Sequence, residues 1–347
     1  MGAELIRPLA ELRSADAALF GGKSSTLGEL IAAGIPVPPG FALSCEAFRL
    51  FVSEAGLEGA IASALSRASS GDVHAVNAAS HAISEEMRSA PMPDAVRDEV
   101  ARHYESFDDA PMAVRSSALG EDSQEATFAG QQETYLWVRG AEHVCDAVRD
   151  CWVSLYSPPA ISYRARLGDA AEEPAMGVTV QLMVDSEVSG VMFTCNPVSG
   201  DPSMVAVNAS WGLGLAVVGG EVTPDDYLVS KVTRELVREK VSDKAVEYVP
   251  GKAGTVRKEV PEERRSAPCL DEPALEALVE VAKRVERYFG SRQDIEWAIA
   301  RDAELPDSLF VVQSRPVTGL AKPKADESKP ASAMSLLMST FGAEKKQ

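Results

Sequence analysis

The chain has 347 residues, of which 45% are hydrophobic and 25% charged, and its formal net charge is −18. That size and mix describe a globular protein with room for two domains or one large bilobal unit. The charge excludes a nucleic-acid polymer or an anionic membrane as main partner, since both reward a basic surface, but it leaves open a small anion in a locally positive pocket.

The five cysteines, Cys45, Cys145, Cys151, Cys195 and Cys269, form no CxxC pair and read as reduced, mostly buried residues of a cytoplasmic protein. His74, His81, His103 and His143 show no metal spacing, so zinc is not expected. No stretch approaches a membrane span, and the first residues carry no apolar signal core.

In chain order, Gly21-Gly22-Lys23-Ser24-Ser25 opens a helix from Lys23 to Ala33, which Gly34 can end. A helix N-terminus with glycines and a lysine suits phosphate, although Ala17 stands where a Walker A loop needs glycine. Pro36, Pro38 and Pro39 then favour an extended edge segment through Leu43, and Ser44 can cap a helix to Glu54. Residues 57–107 have helical spacing with little chemistry.

Strand signals follow at Pro111–Arg115, Thr134–Val138, Gly177–Val184, Gly190–Thr194 and Met204–Ala209, interrupted by a helix near Glu142–Leu155. Arg115, followed by Ser116 and Ser117, ends the first of these strands and can grip an anion with both arms of its guanidinium. A polar, glycine-bearing loop that includes Thr127, Gly130 and Gln131 comes next and can fold over phosphates. Residues 227–260 alternate valine with charge and suggest exposed antiparallel strands, and Glu272–Phe289 reads as an amphipathic helix.

Two strands, Gln293–Ile299 and Phe310–Pro316, hold the densest chemistry. Alternation puts Asp294 and Glu296 on one face of the first, and Gln313, Arg315 and Val311 together on the second. Paired across the turn Arg301–Ser308, they would gather two carboxylates, an amide and a guanidinium, which suits Mg²⁺ beside a phosphate. After Pro316 a Lys- and Pro-rich linker leads to Met334, Leu337, Met338 and Phe341, an apolar stripe on a short terminal helix.

Seven ordered blocks, GGKSSTLGEL, VPPGFALS, AVRSSALGEDSQEATFAGQQETYL, GVMFTCNPVSG, WGLGLAVVGGEVTPDDYLV, QDIEWAI and VVQSRP, resemble the nucleotide-binding domain of phosphoenolpyruvate synthase, pyruvate phosphate dikinase and rifampicin phosphotransferase. The resemblance covers about residues 15–318. It implies an α+β, two-lobed ATP-grasp fold with mostly antiparallel sheets: a front lobe over residues 1–185, a rear lobe over 186–318, and the linker and terminal helix over 319–347.

The same resemblance implies ATP and Mg²⁺ as cofactors. Lys23, Arg115 and Arg315 would be the catalytic cations, Gly22, Thr127, Gly130 and Gln131 would lie at the phosphates, and Asp294 would lie near the metal. Gln181, Met183 and Val184 would form the adenine hinge, and Glu296 and Gln313 would hold the metal. Two departures stand out. Leu215 replaces a glutamate usual after Trp-Gly-Leu-Gly, and no histidine lies in the Thr/Ser-His-Gly-Gly setting of the family's phosphorylatable domain.

The chain therefore resembles a stand-alone subunit such as the smaller catalytic subunit of phenylphosphate synthase, its partner a separate subunit with the histidine and acceptor-binding domains. The alternatives are a nucleotide-binding regulatory module without turnover, a scaffold, or the ATP-binding part of a phosphoenolpyruvate synthase-like enzyme.

Overall fold

The computed structural model describes residues 4–68, 72–118, 133–167, 174–251, 254–301 and 303–317. Its strands are β1 (Ile6–Pro8), β2 (Gly40–Leu43), β3 (Met112–Ala118), β4 (Thr134–Val138), β5 (Met176–Leu182), β6 (Ser186–Phe193), β7 (Met204–Trp211), β8 (Asp225–Ser230), β9 (Leu236–Lys240), β10 (Val246–Pro250), β11 (Thr255–Glu259), β12 (Gln293–Ala300) and β13 (Leu309–Pro316). The helices are α1 (Ala17–Phe20), α2 (Gly22–Ala32), α3 (Cys45–Glu54), α4 (Glu58–Ala68), α5 (Val73–Ser89), α6 (Asp94–Glu105), α7 (Ala141–Ser154), α8 (Pro158–Leu167), α9 (Leu215–Val218), α10 (Glu262–Arg265) and α11 (Glu272–Phe289).

Two antiparallel sheets carry the fold. The front sheet runs β1-β2-β5-β3-β4 and the rear sheet β13-β12-β6-β7-β8-β9, with β10-β11 as a separate hairpin. The architecture is α+β and two-lobed. Front-lobe helices bury Phe48, Phe51, Val148 and Trp152 with Val114, Val178 and Val180 of the sheet. In the rear lobe, Leu278, Val279, Ala282 and Val285 of α11 pack in one cluster with Val207, Ile295, Trp297 and Val311. Asp271 caps α11 by accepting from Ala274 N, and left-handed Gly290 ends it, as the 3.6-residue periodicity with those flanks requires.

The segment before β2 ties the lobes together. Leu9, Leu12, Phe20, Leu27 and Leu30 belong to the rear core although the strands beside them join the front sheet. β2 is not an edge strand, because β1 and β5 flank it on both sides. Pro36, Pro38 and Pro39 precede the strand and lack N–H donors, but their carbonyls remain acceptors. Pro36 O accepts from Val311 N of the rear sheet at 2.8 Å and Pro39 O from Leu182 N of the front sheet at 2.8 Å.

Residues 227–260 are also less exposed than their charge alternation suggests. Tyr227, Leu228 and Val229 of β8 are buried, while all of β9 is exposed. All five cysteines are free and all but Cys269 buried, and burial pushes the Cys45 thiol up to about 11 and that of Cys145 to about 12. Among the described residues no helix is long and apolar enough to cross a membrane.

Candidate active site

The front side of the candidate site begins at the N-terminus of α2. Gly21 has φ +82°, and a Cβ there would stand 2.1 Å from Ser117 O. Only glycine permits both the left-handed turn and this approach to β3. Gly22 opens the helix, Ser24 N donates to Ser117 Oγ at 3.4 Å, and Ser24 Oγ shares a 2.7 Å hydrogen bond with Thr179 Oγ1. Lys23 is buried, with Nζ donating to Ser116 O at 3.0 Å, one residue from Arg115. Gly21→Ala should therefore cost at least about 2 kcal/mol of stability in urea unfolding and weaken ATP binding with it. An alanine variant as stable as the wild type would contradict the tight seating.

Arg115 crosses from the front sheet to the rear one. Its Nη1 donates to Val312 O at 2.8 Å and its Nη2 to Glu296 Oε2 at 3.0 Å. The two carboxylates and their partners stand on paired strands: Asp294 lies opposite Arg315 and Glu296 opposite Gln313. Alternation placed Val311 with Gln313, and this is corrected. A bulge falls between the Glu296–Gln313 and Trp297–Val311 pairs, so Val312 is unopposed and Val311 turns to the core with Trp297.

Arg315 Nε donates to Asp294 Oδ2 at 2.8 Å. Burial raises the Asp294 carboxyl above its ordinary 3.8, with Arg315 opposing that shift and Glu296 adding to it. A raised acid binds its proton more tightly in the folded state, so the stability it contributes is present below the unfolded value and is lost as pH climbs through the folded one. Asp294→Asn cannot show this fall. The stability of wild type relative to Asp294→Asn should decline as pH rises from about 3 to about 6 in urea unfolding, and a rising difference would refute the assignment.

Of the residues expected at an adenine hinge, Gln181 is buried, its Nε2 donates to Pro38 O at 3.1 Å, and its backbone pairs with both Gly40 and Ala113. Met183 N donates to Pro111 O at 2.9 Å, and Met183 and Val184 are half-buried where β5 gives way to β6. Thr127, Gly130 and Gln131 lie outside the described residues, as do the linker and terminal stripe after Val317.

The donor set fits a magnesium-bound triphosphate. Glu296 and Gln313 offer hard oxygens side by side, and Lys23, Arg115 and Arg315 supply positive charge. Among the described residues no group of three or more His, Cys, Asp or Glu could hold a metal unaided. Mg²⁺ keeps several waters and takes one or two protein ligands plus phosphate oxygens, a number that Glu296 and Gln313 can supply.

Comparison with known proteins identifies the family. The family described as "Pyruvate phosphate dikinase, AMP/ATP-binding domain" matches residues 17–335. The chain belongs to that family. Within it, the chain is 38% identical to a probable phosphoenolpyruvate synthase of Staphylothermus marinus, over 88% of this chain and 40% of that protein. It is 39% identical to the phosphoenolpyruvate synthase of Aeropyrum pernix, over 90% and 42%, and 38% identical to a probable phosphoenolpyruvate synthase of Methanothermobacter thermautotrophicus, over 96% and 48%. The chain thus spans less than half the length of these dikinase-family relatives.

Leu215, at the usual family glutamate, opens the four-residue α9 and is half-buried. His74 and His81 lie on α5, His103 on α6 against the Phe41 ring, and His143 on α7. Sequence reasoning missed the Val312 carbonyl, because Val311-Val312 carries no glycine or proline to mark a bulge. It also missed a buried ion pair, Asp225–Lys244 at 2.6 Å, whose partners stand in unrelated segments.

Proposed function

We propose that this chain is the ATP-binding subunit of a split dikinase-type phosphotransferase of the phenylphosphate synthase kind. It binds Mg²⁺-ATP between its lobes and passes the terminal pyrophosphoryl group to a histidine on a partner subunit. The observation that carries this reading is the bridge from Arg115 on the front sheet to Glu296 and Val312 on the rear one. Phosphoryl chemistry asks a protein chiefly for positioning and charge, and the cleft concentrates both.

In the proposed reaction a ring nitrogen of the partner histidine attacks the β-phosphorus. The bond from that phosphorus to the oxygen bridging it to the α-phosphorus breaks, and AMP leaves with the electron pair. Lys23, Arg115 and Arg315 hold and neutralise a triphosphate of about four negative charges. Glu296 and Gln313 would hold Mg²⁺, which lowers the charge repulsion against the incoming nucleophile. Asp294 keeps Arg315 oriented. Met183 and Val184, with Gln181 behind them, would flank adenine, and the segment containing Thr127, Gly130 and Gln131 would close over the phosphates.

The histidine comes from a partner in this reading, because none of the four histidines of the chain lies in a Thr/Ser-His-Gly-Gly setting. Loss of one phosphate to water would leave a phosphohistidine able to phosphorylate a phenol-like acceptor on the partner. The names of the relatives favour a second reading, the ATP-binding part of a phosphoenolpyruvate synthase-like enzyme.

Incubation with ATP, Mg²⁺ and a histidine-bearing partner should yield AMP only when all are present. ADP as the sole product, or binding without any product, would overturn the proposal. Label passing to pyruvate rather than to phenol would select the second reading.

A further inference from the structure

Arg115 holds two groups of different kinds. Glu296 pairs with Gln313 and Trp297 with Val311, which leaves Val312 as the unopposed residue of the bulge, and its carbonyl accepts from Arg115 Nη1. A peptide carbonyl in a hydrogen-bonded strand is a neutral acceptor with a fixed position. Glu296 differs on each count. It is charged, its side chain is 34% exposed, and it accepts from the other arm of the same guanidinium. A planar fork with five donors can release one partner while keeping the other.

We propose that Val312 is a positioning residue, its bulged carbonyl anchoring Arg115 across the cleft, and that Glu296 is the partner Arg115 gives up when the carboxylate takes a divalent cation. The inference rests on the reading of Glu296 as a cation ligand. With Nη1 anchored, loss of Glu296 leaves Nη2 to turn towards the nucleotide phosphates rather than letting the long side chain disperse into solvent, which would cost conformational entropy to recover. Without nucleotide, a cation must compete with Arg115 for Glu296. Nucleotide removes that competitor, so the two ligands are coupled through one guanidinium.

The full chain can be titrated with Mn²⁺, following free Mn²⁺ by electron paramagnetic resonance, and separately with the non-hydrolysable analogue AMP-PNP in excess Mn²⁺. Arg115→Lys keeps the charge but cannot span Val312 O and Glu296 together. It should bind Mn²⁺ about fivefold more tightly than wild type without nucleotide, and AMP-PNP about tenfold more weakly. Deletion of Val312 restores a regular ladder while Gln313 and Arg315 keep their faces. It should weaken AMP-PNP about tenfold, with Mn²⁺ affinity in the absence of nucleotide close to wild type, a split that a purely structural residue would not produce.

Should the deletion variant not fold, Arg115→Lys decides alone: unchanged or weaker Mn²⁺ binding without nucleotide overturns the inference. If wild type binds both ligands and the variants behave like it, the exchange falls and the proposed function stands. If wild type binds neither Mn²⁺ nor AMP-PNP, the proposed function falls and takes this inference with it.

Discussion

Alanine in place of Arg115 should lower AMP formation by about 10²–10³-fold while the protein stays folded. The side chain bridges the two sheets rather than filling a core, so its loss removes the hydrogen bond to Val312 O and the charged one to Glu296, not packing. Glu296 is exposed enough for water to replace the guanidinium, which limits the structural cost to about 1–2 kcal/mol. In the proposed reaction the charge is worth far more, because it acts on phosphate oxygens in a partly dry space.

Glu296→Gln tests the other half of the same site. The amide keeps an oxygen for Arg115 and nearly the same volume, but loses the charge that would hold a cation. A similar loss of AMP formation is expected, with a raised Mg²⁺ requirement that Arg115→Ala does not share. Product chromatography gives the rates, and circular dichroism with thermal unfolding shows whether each variant is folded. Normal AMP formation in either variant would remove its residue from the reaction.

What could be read from the sequence tracks how local the determinants are. α2 and α11 were legible because an apolar stripe at helical spacing is a pattern within one segment, and that spacing alone bounded α11 at Glu272 and Phe289. Strand alternation alone put Asp294 with Glu296 and Gln313 with Arg315, while the register that sets Asp294 opposite Arg315 and Glu296 opposite Gln313 is not fixed by alternation. Val311 did not, because a bulge reverses the face of everything beyond it and nothing in two adjacent valines announces one.

Non-local geometry was harder. Three prolines argued for an edge, but they sit before β2 and contribute carbonyls to both sheets, so the strand itself could be interior. The contact between Arg115 and Glu296 joins residues 181 apart in sequence. Their chemical complementarity was visible, but their adjacency was expected only through the resemblance to a known family. Local chemistry names the candidates in such a fold, and long-range topology selects the ones that meet.

Lys244→Met should be the most destabilising single change in the rear lobe, at about 3–5 kcal/mol. Lys244 and Asp225 are fully buried and joined at 2.6 Å. Asp225 Oδ1 also accepts from Ser242 N at 2.9 Å, and Oδ2 from Cys269 N at 2.9 Å and Tyr227 Oη at 3.2 Å. Methionine fills the space of the lysine but leaves a carboxylate among neutral donors without its counter-ion. Asp225→Asn added to Lys244→Met should recover less than half the loss, because the new amide turns two N–H groups towards partners that are themselves donors.

Asp225 opens β8, separated from β12 by β7 and β6, and Lys244 lies between β9 and β10, so transfer per folded molecule should survive. Denaturant unfolding measures the first effect and AMP formation at low temperature the second. An unfolding free energy equal to wild type would mean that the buried pair adds nothing net. A fully folded Lys244→Met that makes no AMP would tie this network to the cleft, which its distance along the sheet argues against.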